Sequence, residues 1–156
     1  IIISNSFLNN SQTARWTAES TPIATGATGT SLGTGITNSN TIYNLLGNNA
    51  TAVNLCKNYS VTIGGTSYTN WFLPSLEEIR KIHQSSYSYI SDIPSKYIRG
   101  VSDVPWFYYD TNVERATYIY TSSEVNANDV QLFVHNDGNF PITKTYSGYI
   151  RAIRYF

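Results

Sequence analysis

The chain has 156 residues and a formal net charge of +0, with 10 Lys plus Arg against 10 Asp plus Glu. Charged residues make up only 13%, while 18 Ser, 18 Thr and 16 Asn supply a third of the chain. The absence of a cation run disfavours general nucleic-acid binding, no apolar stretch reaches the ~18–20 residues of a membrane span, and a single Cys excludes an internal disulfide framework and a thiolate zinc cluster.

In chain order, Ile1–Ser4 and Arg15–Ala18 are expected as short strands. Residues 21–39 are rich in Gly, Thr and Ser, carry no hydrophobic period and read as a loop. From Asn40 to Tyr59 the pattern is helical, interrupted at Gly47-Asn48-Asn49. Asn40 is expected to cap 41–46 and Asn49 to cap 50–58, with Val53 and Cys56 on one face. Gly64-Gly65 marks a tight turn between Val61–Ile63 and Ser67–Tyr68.

Residues 71–84 give the clearest helix signal. Ser75 and Glu78 have capping-box spacing, Pro74 disfavours a helical Leu73, and Leu76, Ile79 and Ile82 form an apolar stripe. Between Ser85 and Thr111 the pattern fails in a long aromatic-rich excursion, with a short helix expected at 95–99. The remainder reads as antiparallel sheet: Thr117–Thr121, Val130–His135, Ile142–Tyr146 and Tyr149–Tyr155, the last with a bulge. Its turns are expected at 136–139 and at Ser147-Gly148. Val130, Leu132 and Val134 alternate with Gln131, Phe133 and His135, so one set faces the core. The expectation is one α+β domain over 1–156, two helices packed on a small, mostly antiparallel sheet.

Three segments carry a resemblance to a known family. They are Trp71-Phe72-Leu73-Pro74-Ser75-Leu76-Glu77-Glu78-Ile79, Tyr120-Thr121-Ser122-Ser123-Glu124, and Ile150-Arg151-Ala152-Ile153-Arg154. In order and spacing they resemble the Lcl C-terminal domain family, named for the C-terminal domain of a collagen-like bacterial adhesin. The likeness spans 33–156 and leaves 1–32 as an N-terminal strand and loop extension. Asn70 and Tyr120 stand where the family usually has Asp and Trp. The resemblance implies a C-type-lectin-like fold on a bacterial surface protein, lipoprotein or adhesin. It also implies kinship with domains varied by diversity-generating retroelements, and with binding of sulfated glycosaminoglycans. Zero net charge argues against that last ligand.

The motif residues Trp71, Leu73, Pro74, Ser75 and Glu78 read as structural, a buried Trp leading into a capped helix. Glu124 and at least one of Arg151 and Arg154 are expected to pair across the sheet, the other Arg reaching solvent, with a grip on an anionic sugar as the alternative. Cys56 reads as a buried inert thiol, and His83 and His135 fall in no zinc pattern. The calcium-dependent sugar motifs E-P-N, Q-P-D and W-N-D are absent, and the three N-x-[ST] sequons arise by chance in so Asn-rich a chain. No catalytic residue, metal or cofactor is expected.

Recognition is expected from Asn126, Asn128, Asp129, Gln131, Phe133, His135, Asn136, Asn139, Lys144 and Tyr146, with Trp106, Tyr108 and Tyr109 beside them; an ordinary solvated sheet edge is the alternative. The leading function is a non-catalytic extracellular module that binds a surface glycan or protein receptor. The alternative is a structural subunit of an appendage, sheath or virion, packed against neighbouring subunits. The start at Ile1-Ile2-Ile3, without Met or a leader, fits a processed chain or a fragment.

Overall fold

The computed structural model describes residues 1–4, 7–10, 12–91, 118–134 and 138–155, the side chains of 2 and 85–91 excepted. The expected helix at 95–99, most of the aromatic excursion and the first half of the 136–139 turn lie outside the described residues.

The architecture is mixed α+β. Strands β1 (Ile2–Ile3) and β2 (Ala14–Arg15) precede helix α1 (Thr34–Leu46), a 3-10 turn (Gly47–Asn49) and α2 (Thr51–Lys57). A hairpin of β3 (Val61–Ile63) and β4 (Thr66–Tyr68) leads to α3 (Leu76–Ser91). Strands β5 (Tyr118–Glu124), β6 (Asp129–Val134) and β7 (Gly138–Thr143) form the largest sheet, three-stranded and antiparallel in that order. Short strands β8 (Ser147–Gly148) and β9 (Ile153–Arg154) follow, pairing antiparallel with β2 and β1 respectively.

Among the described residues three α-helices, rather than two, surround the sheets. The difference arises at α1, which begins at Thr34, six residues before the expected Asn40 cap. Its buried side consists of Gly35, Asn38, Ser39, Ile42 and Leu46, so its first two turns show no apolar period. Those small and polar residues are nonetheless satisfied. Asn38 Nδ2 donates to Gly29 O (2.6 Å) and Ser122 Oγ (3.2 Å), and Ser39 Oγ accepts from Leu73 N (3.1 Å). A Cβ on Gly35 would lie 2.2 Å from Glu78 Oε2, so glycine alone fits this crossing. Asn49 does not cap α2; Ala50 occupies that position, while Asn54 Nδ2 reaches back to Gly47 O (2.9 Å).

The sheet divides the core in two. Tyr120, Val130, Leu132 and Val134 join Trp16, Ile42, Val53, Cys56, Trp71 and Leu73 on one side. Ile119 and Phe133 meet Leu76 and Ile79 of α3, together with Phe7, on the other. Each fully buried aliphatic or Phe side chain contributes roughly 1.5–3 kcal/mol, so both faces of β6 are anchored. The expected bulge falls in β5 instead of the last strand: pairing with β6 shifts between Tyr120 and Glu124. Ser122 N then donates to Pro74 O (2.7 Å) and Glu124 N to Ala27 O (2.8 Å). Ser147-Gly148 is strand, not turn; the chain reverses at 144–146, closed by Tyr146 N to Thr143 O (3.0 Å).

Candidate functional site: a polar clasp and an aromatic corner

The first and second motif segments converge on the Gly/Thr-rich chain at 23–35, which crosses the mouth of α3. Ser75 and Glu78 close a reciprocal capping box, with Ser75 N to Glu78 Oε2 at 2.7 Å and Glu78 N to Ser75 Oγ at 3.4 Å. Glu78 is fully buried and its other oxygen accepts from Gly33 N (2.9 Å) and from the Tyr155 hydroxyl. Burial, then the Glu78 carboxylate, push the Tyr155 phenol up to about 12. Ser75 Oγ donates to Ser31 O (2.9 Å) and Ser123 Oγ to Gly29 O (2.8 Å), so the strap's carbonyls are taken up by motif hydroxyls.

At the strap's other end Glu124 accepts from Thr25 N and Thr25 Oγ1 (both 2.7 Å), Gly26 N (3.1 Å) and Lys144 Nζ (2.7 Å). Burial by itself would raise this carboxyl, but these donors outweigh it and hold Glu124 below the usual carboxylate range. Lys144 is also fully buried, donating to Ile23 O (2.8 Å) and Ala127 O (2.9 Å), with its ammonium 5.0 Å from the centre of the Trp16 ring. Two expectations are corrected here. Lys144 is an interior cation and presents nothing to a ligand, because its four-carbon stem reaches inward to Glu124. The ion-pair partner of Glu124 is that lysine, not an arginine.

The arginines stack instead on rings. The Arg151 guanidinium lies 5.0 Å from the centre of the Phe7 ring, and burial lowers its pKa to about 10. Arg154 covers Tyr68 at 5.1 Å. Trp71 is buried, its indole N–H donating to Tyr68 O (2.9 Å) and its ring meeting Tyr59 edge-on. Leu73 and Pro74 are buried beside it. Cys56 is fully buried, and burial pushes its thiol far up, away from nucleophilic use. Among the described residues no group of three or more His, Cys, Asp and Glu is placed to hold a metal ion, and no helix is long and apolar enough to cross a membrane.

The expected recognition residues separate into distinct environments. Phe133 is 3% exposed in the core under α3, so its place in the recognition set is also corrected: the register puts it on the same face as Ile119, against the helix. Asn126 and Asp129 build their own turn: Asn126 Oδ1 accepts from Asn128 N (2.8 Å) and Asp129 N (2.9 Å), and its amide reaches Asp129 Oδ2 (3.0 Å). Asn126 and Asn128 remain exposed. Asn139 links β7 to α3, accepting from Arg80 (2.6 Å) and donating to Gln131 Oε1 (2.8 Å); Arg80 in turn pairs with Glu77. Trp106, Tyr108, Tyr109, His135 and Asn136 lie outside the described residues.

Tyr146 gathers two residues that the sequence reading missed. Phe140 and Tyr146 are 36% and 46% exposed, and each meets Tyr118 edge-on, with ring centres 6.1 and 6.5 Å from it. The three rings form an open corner at the edge of the sheet. Beneath it, the buried Tyr120 hydroxyl donates to Tyr146 O (2.7 Å), fixing the turn that carries Tyr146. Gly148 makes room for Tyr120, since a Cβ there would sit 2.9 Å from its ring. Tyr118 and Tyr120 share one face of β5, as Phe140 and Ile142 share one face of β7, and nothing local tells which aromatic of such a strand stays in water.

No family model, curated protein or solved structure matches the chain.

Proposed function

We propose that the chain is a non-catalytic ligand-binding module of the bacterial cell surface, of C-type-lectin-like type, recognising a glycan or a protein through its C-terminal sheet. The observation that carries this reading is the Tyr118–Phe140–Tyr146 corner, its outer rings Phe140 and Tyr146 exposed, on a sheet whose central strand is buried on both faces. A rigid scaffold lets exposed rings bind at low ordering cost. The motif serines and glutamates act as scaffold in this reading, because each carboxylate oxygen of Glu78 and Glu124 already accepts hydrogen bonds within the fold. Groups committed in this way to the fold are poorly placed for acid–base work on a substrate. The likeness of the three motif segments to the Lcl C-terminal domain family supports the surface location.

The test is saturable binding of the purified full chain, as a monomer, to immobilised surface glycans and extracellular proteins. A saturable partner supports the reading; turnover of a bound compound, or no partner of either kind, overturns it. A second reading, a subunit of a surface assembly, draws on α1. That helix has no charged residue and exposes Ile36, Tyr43 and Leu45 at 40%, 37% and 53%. Concentration-dependent polymers in light scattering would favour it over the first.

A further inference from the structure

The aromatic corner also specifies a ligand class. We propose that Tyr118, Phe140 and Tyr146 form a subsite for the apolar face of a neutral sugar ring; this rests on the ligand-binding reading above.

Three observations select that occupant. First, the described residues at the corner are uncharged. The flanking Gly138, Pro141, Ile142, Thr143 and Thr145 are neutral, and Lys144 is turned inward onto Glu124. Arg15, opposite Ser147 in the β2–β8 ladder, is one exposed cation beside the turn. A sulfated polymer gains affinity by releasing counterions from several paired charges, and one cation cannot supply that.

Second, the edge strand resists an extended peptide. Pro141 stands mid-way along β7, opposite Gln131, and contributes no N–H to a further strand. Recognition here therefore falls to side chains.

Third, the rings combine apolar faces with phenol hydroxyls. Phe140 and Tyr146 stand at 80° and 89° to Tyr118, so the corner has walls as well as a floor. Gly138, at φ +86, leaves space beside Val134: among the described residues nothing lies within 4 Å of where a Cβ would be. A sugar ring offers C–H groups to such faces and hydroxyls to the phenols of Tyr118 and Tyr146.

The experiment titrates the full chain with neutral hexasaccharides (β-1,4-glucose, β-1,4-N-acetylglucosamine, β-1,4-mannose and α-1,4-glucose) and with a heparin hexasaccharide as the charged arm. Each is read by calorimetry at about 50 and about 500 mM NaCl. At least one neutral sugar should bind equally at both salts. Phe140→Ala and Tyr146→Ala should each weaken it about fivefold or more, with Thr62→Ala, on the exposed face of β3, unchanged. Circular dichroism and thermal melts confirm that the variants are folded. Silence across the neutral panel, affinity indifferent to both aromatic variants, or a preference for heparin that fades with salt would each overturn the subsite. A glycan or protein held elsewhere on the chain would do so while leaving the module reading standing.

Discussion

The strap at 23–35 and the sheet at 118–143 are neighbours held together by opposite means. The strap has almost no apolar anchorage beyond Ala27, and is fastened by Glu78, Glu124, Ser75, Ser123 and Asn38. The sheet is held by apolar side chains on both faces of β6 and spends few polar side chains on its own cohesion. The difference inverts the usual expectation. Residues with the chemistry of a surface (Ser, Thr, Glu, Lys) are interior fasteners here, while residues with the chemistry of a core (Phe140, Tyr146) stand at the rim.

The sharpest way to break this contrast is Lys144→Met. It leaves Glu124 as an uncompensated buried charge and should cost about 3–5 kcal/mol in denaturant unfolding. A loss below about 1 kcal/mol would show that the clasp is ornamental to the fold. Gly35→Ala ranks next. Its Cβ would meet Glu78 Oε2 at 2.2 Å and Ser75 N at 2.9 Å, so overpacking should cost about 1–3 kcal/mol, read as a lowered Tm.

Acid separates the two regions by another route. Glu124 titrates below its ordinary value of 4.5 in the folded chain. Its contribution is therefore fully present above that value and is lost as pH falls through the lower, folded one. Hydrogen exchange should show amides at 24–27 opening in acid before those of β6, and Glu124→Gln should flatten that dependence. An identical acid profile for strap and sheet would count against it. Tyr155 adds an alkaline limb, its contribution fading as pH rises from 10 towards about 12.

The smallest expected effect on stability belongs to the corner. Phe140→Ala and Tyr146→Ala should each cost about 1 kcal/mol, because both rings already keep a third or more of their surface in water. Unfolding by either would move that residue from the binding rim to the core.

Legibility in the sequence followed the kind of force at work. The apolar residues Val130, Leu132 and Val134 foretold one of the two buried faces of β6, and cap spacing foretold the start of α3. Helix α1 was half hidden because Gly35, Asn38 and Ser39 on its packed side depend on partners some 34–84 residues away. Lys144 looked like a surface cation for the same reason: its partners, Glu124 and the carbonyls of Ile23 and Ala127, are brought to it only by the finished fold. Phe133 misled because β6 is buried on both faces, so its alternation does not separate core from solvent.

The pairing of Ile2–Ile3 with Ile153–Arg154 has a kinetic consequence. That contact closes nearly the whole length of the chain, and loop-closure entropy makes it slow to form. On the ribosome Ile2–Ile3 stay unmatched until β9 has emerged, so this pairing waits for everything between the two strands to be made. The zippering of these two strands, and the docking of Ser4 and Leu8 alongside Ala152 and Ile150, therefore come among the last steps of folding.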